Sequence, residues 1–194
     1  MKLLNQIGFL LRITRTHGIV RRYFVVNGFD GALTMLGLIV GFLFSSPEDL
    51  SVIINACLGA AIALGVSGVS SAYVSEKAEL RKVLSELEGA MLTDLQNGAH
   101  AVAARWVPVL IALVNGSAPL IISLLIISPL WLSNIGLQVL VPPLHAAISV
   151  ALVLIFMLGI FIGRIAGTFW LRSGIQTLFI ALLTMLLIYL FSGG

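Results

Sequence analysis

Asn27, Asp30 and Thr34 are spaced i, i+3, i+7, which puts three oxygen-bearing side chains on one stripe of a helix. Asp30 is the only carboxylate well inside an apolar run of this chain. Placing such a group at the centre of a membrane helix costs roughly 2.5–3.5 kcal/mol, so it needs a partner, a proton or an ion. Asp30 lies seven residues in from Tyr23, about 10 Å along a helix. Counted from the corresponding ends of the other apolar runs, the same level holds Ser67, Ser70, Ser71, Asn115 and Gln176. One carboxylate among neutral oxygens suits a small cation or a proton. The ordinary alternative is that the Ser, Thr, Asn and Gln side chains tie helices together by hydrogen bonds.

A second acidic group follows the second apolar run. Glu76, Glu79 and Glu86 fall within about 80° of arc on a helix, a face able to collect divalent cations. Lys77, Arg81 and Lys82 interleave with them, so ordinary solvation of the helix by i, i+3 and i, i+4 pairs is the competing reading. Gly65-Val66-Ser67-Gly68 matches the pattern around an intramembrane nucleophilic serine. His145, at the far end of span four, lies about 18 Å from Ser67 in depth, and His17 and His100 fall outside the spans. Three scattered His and the single Cys57 assemble neither a thiolate nor a His metal site, and one cysteine forms no intrachain disulfide. No catalytic constellation is present, so the chain reads as a non-enzyme with no permanently bound cofactor.

The elements that must position these residues are membrane helices. Apolar residues make up 59% of the chain and charged residues 10%, a composition that excludes an ordinary soluble domain. Five apolar stretches, about 23–44, 52–75, 106–130, 144–163 and 169–192, are each long enough to cross a ~30 Å hydrocarbon core. Every Lys and Arg lies before the first, between the second and third, or around the junction of the fourth and fifth, where Arg172 falls just inside the start of the fifth. The loops 45–51 and 131–143 carry none, so the basic side is cytoplasmic, the N-terminus is inside and the C-terminus outside. The net charge of +3 reflects that distribution and does not imply nucleic-acid binding. Leu3, Leu4, Ile7, Leu10 and Leu11 recur at helical spacing beside Lys2, Arg12 and Arg15, which predicts an amphipathic interfacial helix within 1–22. Residues 23–194 form the five-helix domain, with a short cytoplasmic helical segment over 76–105. Good helix formers from Tyr73 to Leu95 carry span two past the membrane. Pro108 and Asn115-Gly116-Ser117-Ala118-Pro119 predict a break in span three. Glycines in span two (Gly59, Gly65, Gly68) and span four (Gly159, Gly163) predict close helix packing.

The run from Arg22 through Asn27-Gly28-Phe29-Asp30-Gly31-Ala32-Leu33-Thr34 to Gly41 resembles the first transmembrane helix of the vacuolar iron transporter family. Ala72-Tyr73-Val74-Ser75-Glu76-Lys77 resembles the end of that family's second span, and Gly116-Ser117-Ala118-Pro119 its Gly/Pro-containing third span. The resemblance implies a homodimeric, proton-coupled exporter of ferrous iron or manganese. It matches Asp30 to the span-one carboxylate of the ion pathway and sets Glu76 and Glu79 in part of the metal-collecting region. In a dimer Asp30 would be supplied twice. The chain differs from the family's Ser-Met-x-x-Gly-Glu-Tyr at Gly68 and Ala72, which stand where the family has Met and Glu.

The expectation is therefore an all-α, multi-pass membrane protein that transports a divalent metal. Asp30, Asn27, Thr34, Ser67, Ser71, Asn115 and Gln176 would line the ion pathway, and Asp30, Glu76, Glu79 and Glu86 would be the metal ligands. Metal and proton would compete at Asp30. The alternative is a membrane scaffold that keeps the transporter fold without transport.

Overall fold

The computed structural model describes residues 16–45, 49–91, 99–136 and 141–192. They form five α-helices: α1 (Thr16–Ser45), α2 (Leu50–Met91), α3 (Ala99–Asn134), α4 (Pro143–Ala166) and α5 (Trp170–Ser192). Each contains a segment long and apolar enough to cross a membrane. Over these segments the helices are apolar nearly all round, the pattern of an element whose outward face meets hydrocarbon rather than water. A helix also satisfies its own backbone, the condition for entering lipid. Residues 1–15, the greater part of the expected interfacial helix, lie outside the described residues. Residues 16–22 are the first turns of α1.

At 42 residues, α2 rises about 63 Å, roughly twice the hydrocarbon thickness. It does not stop at Ser75; the helix formers beyond it continue as helix to Met91. The rest of the expected cytoplasmic segment up to residue 98 lies outside the described residues.

The break expected in span three is absent: α3 runs unbroken through Pro108, Gly116 and Pro119. Each proline withdraws one N–H from the helix ladder. Pro129 removes the donor to the Leu125 carbonyl, which instead accepts the Ser128 hydroxyl at 2.7 Å. Pro119 removes the donor to the Asn115 carbonyl, and that oxygen lies against Gly68. Substitution of a neighbour for the missing N–H is how membrane helices tolerate proline without unwinding.

The chain divides into two compact units, Met1–Phe24 with Val66–Ser117, and Val25–Gly65 with Ala118–Gly194. The first is cored by Ala72, Val107, Ile111 and Ala112, with Val20, Tyr23, Val69, Tyr73 and Leu80 packed around them. The second buries Met35, Leu36, Ile39, Ile53, Ile126, Ile127, Leu130 and Ile155 completely. Within it, α1 reaches α3 through glycine. A Cβ on Gly31 would stand 2.8 Å from Pro119 Cα, so only a hydrogen fits there. On α4, Gly159 and Gly163 make room for Thr177 and Ser173 of α5, and the Thr177 hydroxyl donates to the carbonyls of Ile155 (3.2 Å) and Gly174 (2.9 Å). The predicted close-packing role thus holds at Gly68, Gly159 and Gly163, whereas nothing lies within 4 Å of the Cβ position of Gly59.

Candidate functional site

The packing of α1 decides where its polar stripe points. Val25, Gly28, Ala32, Met35, Leu36 and Ile39 are buried and cluster on one side of the helix. At 100° per residue, Asp30 falls roughly opposite the centre of that side. It is exposed, whereas Asn27 and Thr34, which flank it on the stripe, are half-buried. The close approach of Gly31 to Pro119, and of Gly28 to Ile122 and Leu158, sets this rotation. The carboxylate therefore stands on the outward face of an apolar helix, and among the described residues it forms no ion pair. Gln176 belongs to the same unit. It is exposed on α5, away from the face carrying Ser173, Thr177 and Ala181, and lines a groove of about 530 Å³ with Ile175, Phe179 and Ile180.

In the other unit the expected pathway oxygens separate by role. Asn115 is buried and its Nδ2 donates to the Gly68 carbonyl at 2.7 Å, tying α3 to α2. This is the hydrogen-bonding role weighed as the alternative for such residues. Ser67 and Ser71 are exposed on α2, and the Ser71 hydroxyl leans on the Gly68 carbonyl at 3.4 Å.

The two positions where the resemblance expects Met and Glu are closed by packing. Gly68 is buried, and a Cβ there would meet the Asn115 carbonyl oxygen and Gly116 Cα, each at 3.1 Å. Ala72 is 3% exposed within the apolar cluster of Val107, Ile111 and Ala112. A carboxylate at 72 would enter that cluster without a polar partner, at a cost of several kcal/mol.

The acidic face of α2 is spread out rather than gathered. Glu76 is half-buried and accepts the Tyr23 hydroxyl at 2.8 Å, joining α1 to α2. Glu86 pairs with Lys82 at 3.9 Å, with both side chains largely in solvent, and Glu79 is exposed. Among the described residues no group of three or more His, Cys, Asp or Glu side chains is arranged to hold a metal ion.

Two features are not evident from residue types alone. One is the Tyr23–Glu76 hydrogen bond. Its sequence signal is that both residues lie at the basic ends of their apolar runs and so share a level along the helices. The other is the α4–α5 contact through Gly159, Gly163, Ser173 and Thr177, whose signal is small residues four apart on both helices.

Five helices long and apolar enough to cross a membrane define a multi-pass α-helical membrane protein. The chain is 32% identical over 172 residues to an uncharacterized protein of Methanocaldococcus jannaschii, a match covering 87% of this chain and 86% of that relative. It belongs to the family of that archaeal protein. No family model matches the chain, and no solved structure matches it.

Proposed function

We propose that the protein moves a divalent cation, ferrous iron or manganese, across a cell membrane in exchange for protons, exporting it from the cytoplasm. The observation that carries this reading is Asp30: a carboxylate on the outward face of an apolar helix, flanked by Asn27 and Thr34. Facing hydrocarbon alone, it would be costly, and intramembrane carboxylates characteristically mark ion and proton pathways. A second copy of the chain would cover that face and supply a second carboxylate and more neutral oxygens, a donor set suited to a hard or borderline divalent ion. In this reading the working form is a homodimer with its N-terminus inside and C-terminus outside. Asp30 binds metal or proton in turn, and Asn27 and Thr34 contribute neutral oxygens. Glu76, Glu79 and Glu86 raise the local cation concentration near the entrance.

The test is uptake of ferrous and manganous ions into proteoliposomes under an imposed pH gradient, with Asp30→Asn beside the wild type. Gradient-dependent flux that disappears in the variant supports the reading. Normal flux in a folded, inserted Asp30→Asn protein refutes the role of Asp30.

The packing of Gly68 and Ala72 favours a second reading, a membrane scaffold without transport. A scaffold would carry no flux in the wild type, and Asp30→Asn would leave its stability unchanged or improved, because a membrane-embedded charge is lost.

A further inference from the structure

The turn between α4 and α5 carries two exposed arginines, Arg164 in the last turn of α4 and Arg172 in the first turn of α5. They are the only Lys or Arg residues after Arg105, and no Asp or Glu follows Asp94. The unit they belong to contains only Asp30, Glu48 and Asp49 as acids, and among the described residues neither arginine forms an ion pair. Among the described residues, these two permanent positive charges thus have no acid paired with them.

The backbone here is held firmly. Gly167 adopts the left-handed conformation (φ 68°), and the Thr168 N–H closes on the Gly163 carbonyl at 3.0 Å. A Cβ on Gly163 would stand 3.0 Å from Trp170 Cα and 2.8 Å from Ser173 Cβ, so α4 and α5 touch at the residues adjoining the two arginines. Between the arginines, Phe169 is 65% exposed and Trp170 43%, their ring centroids 6.2 Å apart. Apolar surface continues from them along both helices through the exposed Phe161 and Ile175.

We propose that this turn is a binding surface for the headgroup of an anionic phospholipid, with the guanidinium groups of Arg164 and Arg172 on its phosphate and Phe169 and Trp170 seated among the acyl-chain ends. Guanidinium groups match phosphate oxygens in charge and in planar, two-pronged geometry. Aromatic rings beside them are the side chains that settle at the headgroup level, and a soluble anion would have no use for them. The surface is independent of metal transport and does not depend on Asp30.

The test uses Trp170 as the only tryptophan, with Trp106→Phe and Trp131→Phe, in phosphatidylcholine bilayers containing a small fraction of brominated lipid. Brominated phosphatidylglycerol should quench Trp170 more strongly than brominated phosphatidylcholine at equal fraction. Removing each arginine as Arg164→Gln or Arg172→Gln should reduce the local enrichment by about fivefold. Control variants Arg81→Gln and Lys82→Gln, each removing the same single charge elsewhere, should keep the preference. Inorganic phosphate at matched ionic strength should not compete; competition would mean the turn takes free phosphate and would overturn the lipid assignment. Equal quenching by the two lipids, or arginine variants that behave as wild type, would also overturn it. Native mass spectrometry of the unaltered chain, comparing retained phosphatidylglycerol with phosphatidylcholine, gives the same answer if the tryptophan replacements disturb folding.

Discussion

At the scale of single residues, Asp30 and Asp49 are carboxylates on exposed surface with opposite surroundings. Asp49 precedes α2 and caps it: the Ser51 N–H donates to its Oδ1 at 2.8 Å, and the Val52 N–H to its carbonyl at 3.2 Å. The hydrogen bonds from Ser51 hold its carboxyl below the usual carboxylate range. A carboxyl whose pKa is lower when folded stabilises the folded form above its unfolded pKa, about 3.9, and the effect fades as pH falls through the lower folded value. Asp49→Ala should therefore lower the unfolding midpoint at neutral pH, with the gap to wild type closing below about pH 4. Asp49→Asn, which still accepts the N–H, should stay near wild type at neutral pH. Thermal unfolding in detergent across a pH series checks both. Asp30 has no such role in helix geometry, and its consequence should appear in flux: Asp30→Asn abolishes gradient-driven uptake while the protein still inserts.

At the scale of elements, hydrogen-sized contacts set the rotation of the helices. A Cβ on Gly31 would stand 2.8 Å from Pro119 Cα and 3.1 Å from its carbonyl oxygen, and backbone cannot swing aside as a flexible side chain can. Gly31→Ala should destabilise by about 1–3 kcal/mol, the range for overpacking a close contact. Gly41, on the same helix, has nothing within 4 Å of its Cβ position. Gly41→Ala should be neutral or slightly stabilising, because alanine is the better helix former. Unfolding midpoints of the two variants side by side test whether the α1–α3 approach, rather than glycine content, matters. If Gly31→Ala also repels α3, the outward setting of Asp30 changes with it, and uptake should fall although no polar group has been altered.

At the scale of the whole molecule, charge bias predicts the orientation. All eleven Lys and Arg residues flank the spans on one side, and the final Ser192-Gly193-Gly194 carries none. The sole native cysteine, Cys57, is fully buried, so labelling of introduced cysteines has a low background. In right-side-out vesicles, an impermeant maleimide should modify Asn134→Cys and leave Glu86→Cys untouched until the vesicles are opened. The reverse pattern would overturn the predicted orientation and, with it, the proposed direction of export.

Five helices of membrane-spanning length among the described residues, and their apolar character, were legible in the sequence. Each depends on composition over some twenty residues or on a single residue type, and lipid makes those requirements strict because unpaired backbone and unpaired charge are costly there. Glycine at 68 and alanine at 72 could be read as departures from a pattern, but not as positions closed by packing, the first against backbone and the second within an apolar cluster. The sequence also suggested a break at Pro119, because it shows the N–H that proline lacks and not the helix that continues on both sides of it. Only the tertiary structure decided that α3 continues, that Asn115 ties Gly68, that Tyr23 meets Glu76 and that Asp30 faces outward. These depend on which surfaces touch across tens of residues of chain. A contact such as Gly31 against Pro119 is set by the absence of a Cβ at one point and the position of a backbone 88 residues away, information that no local pattern contains.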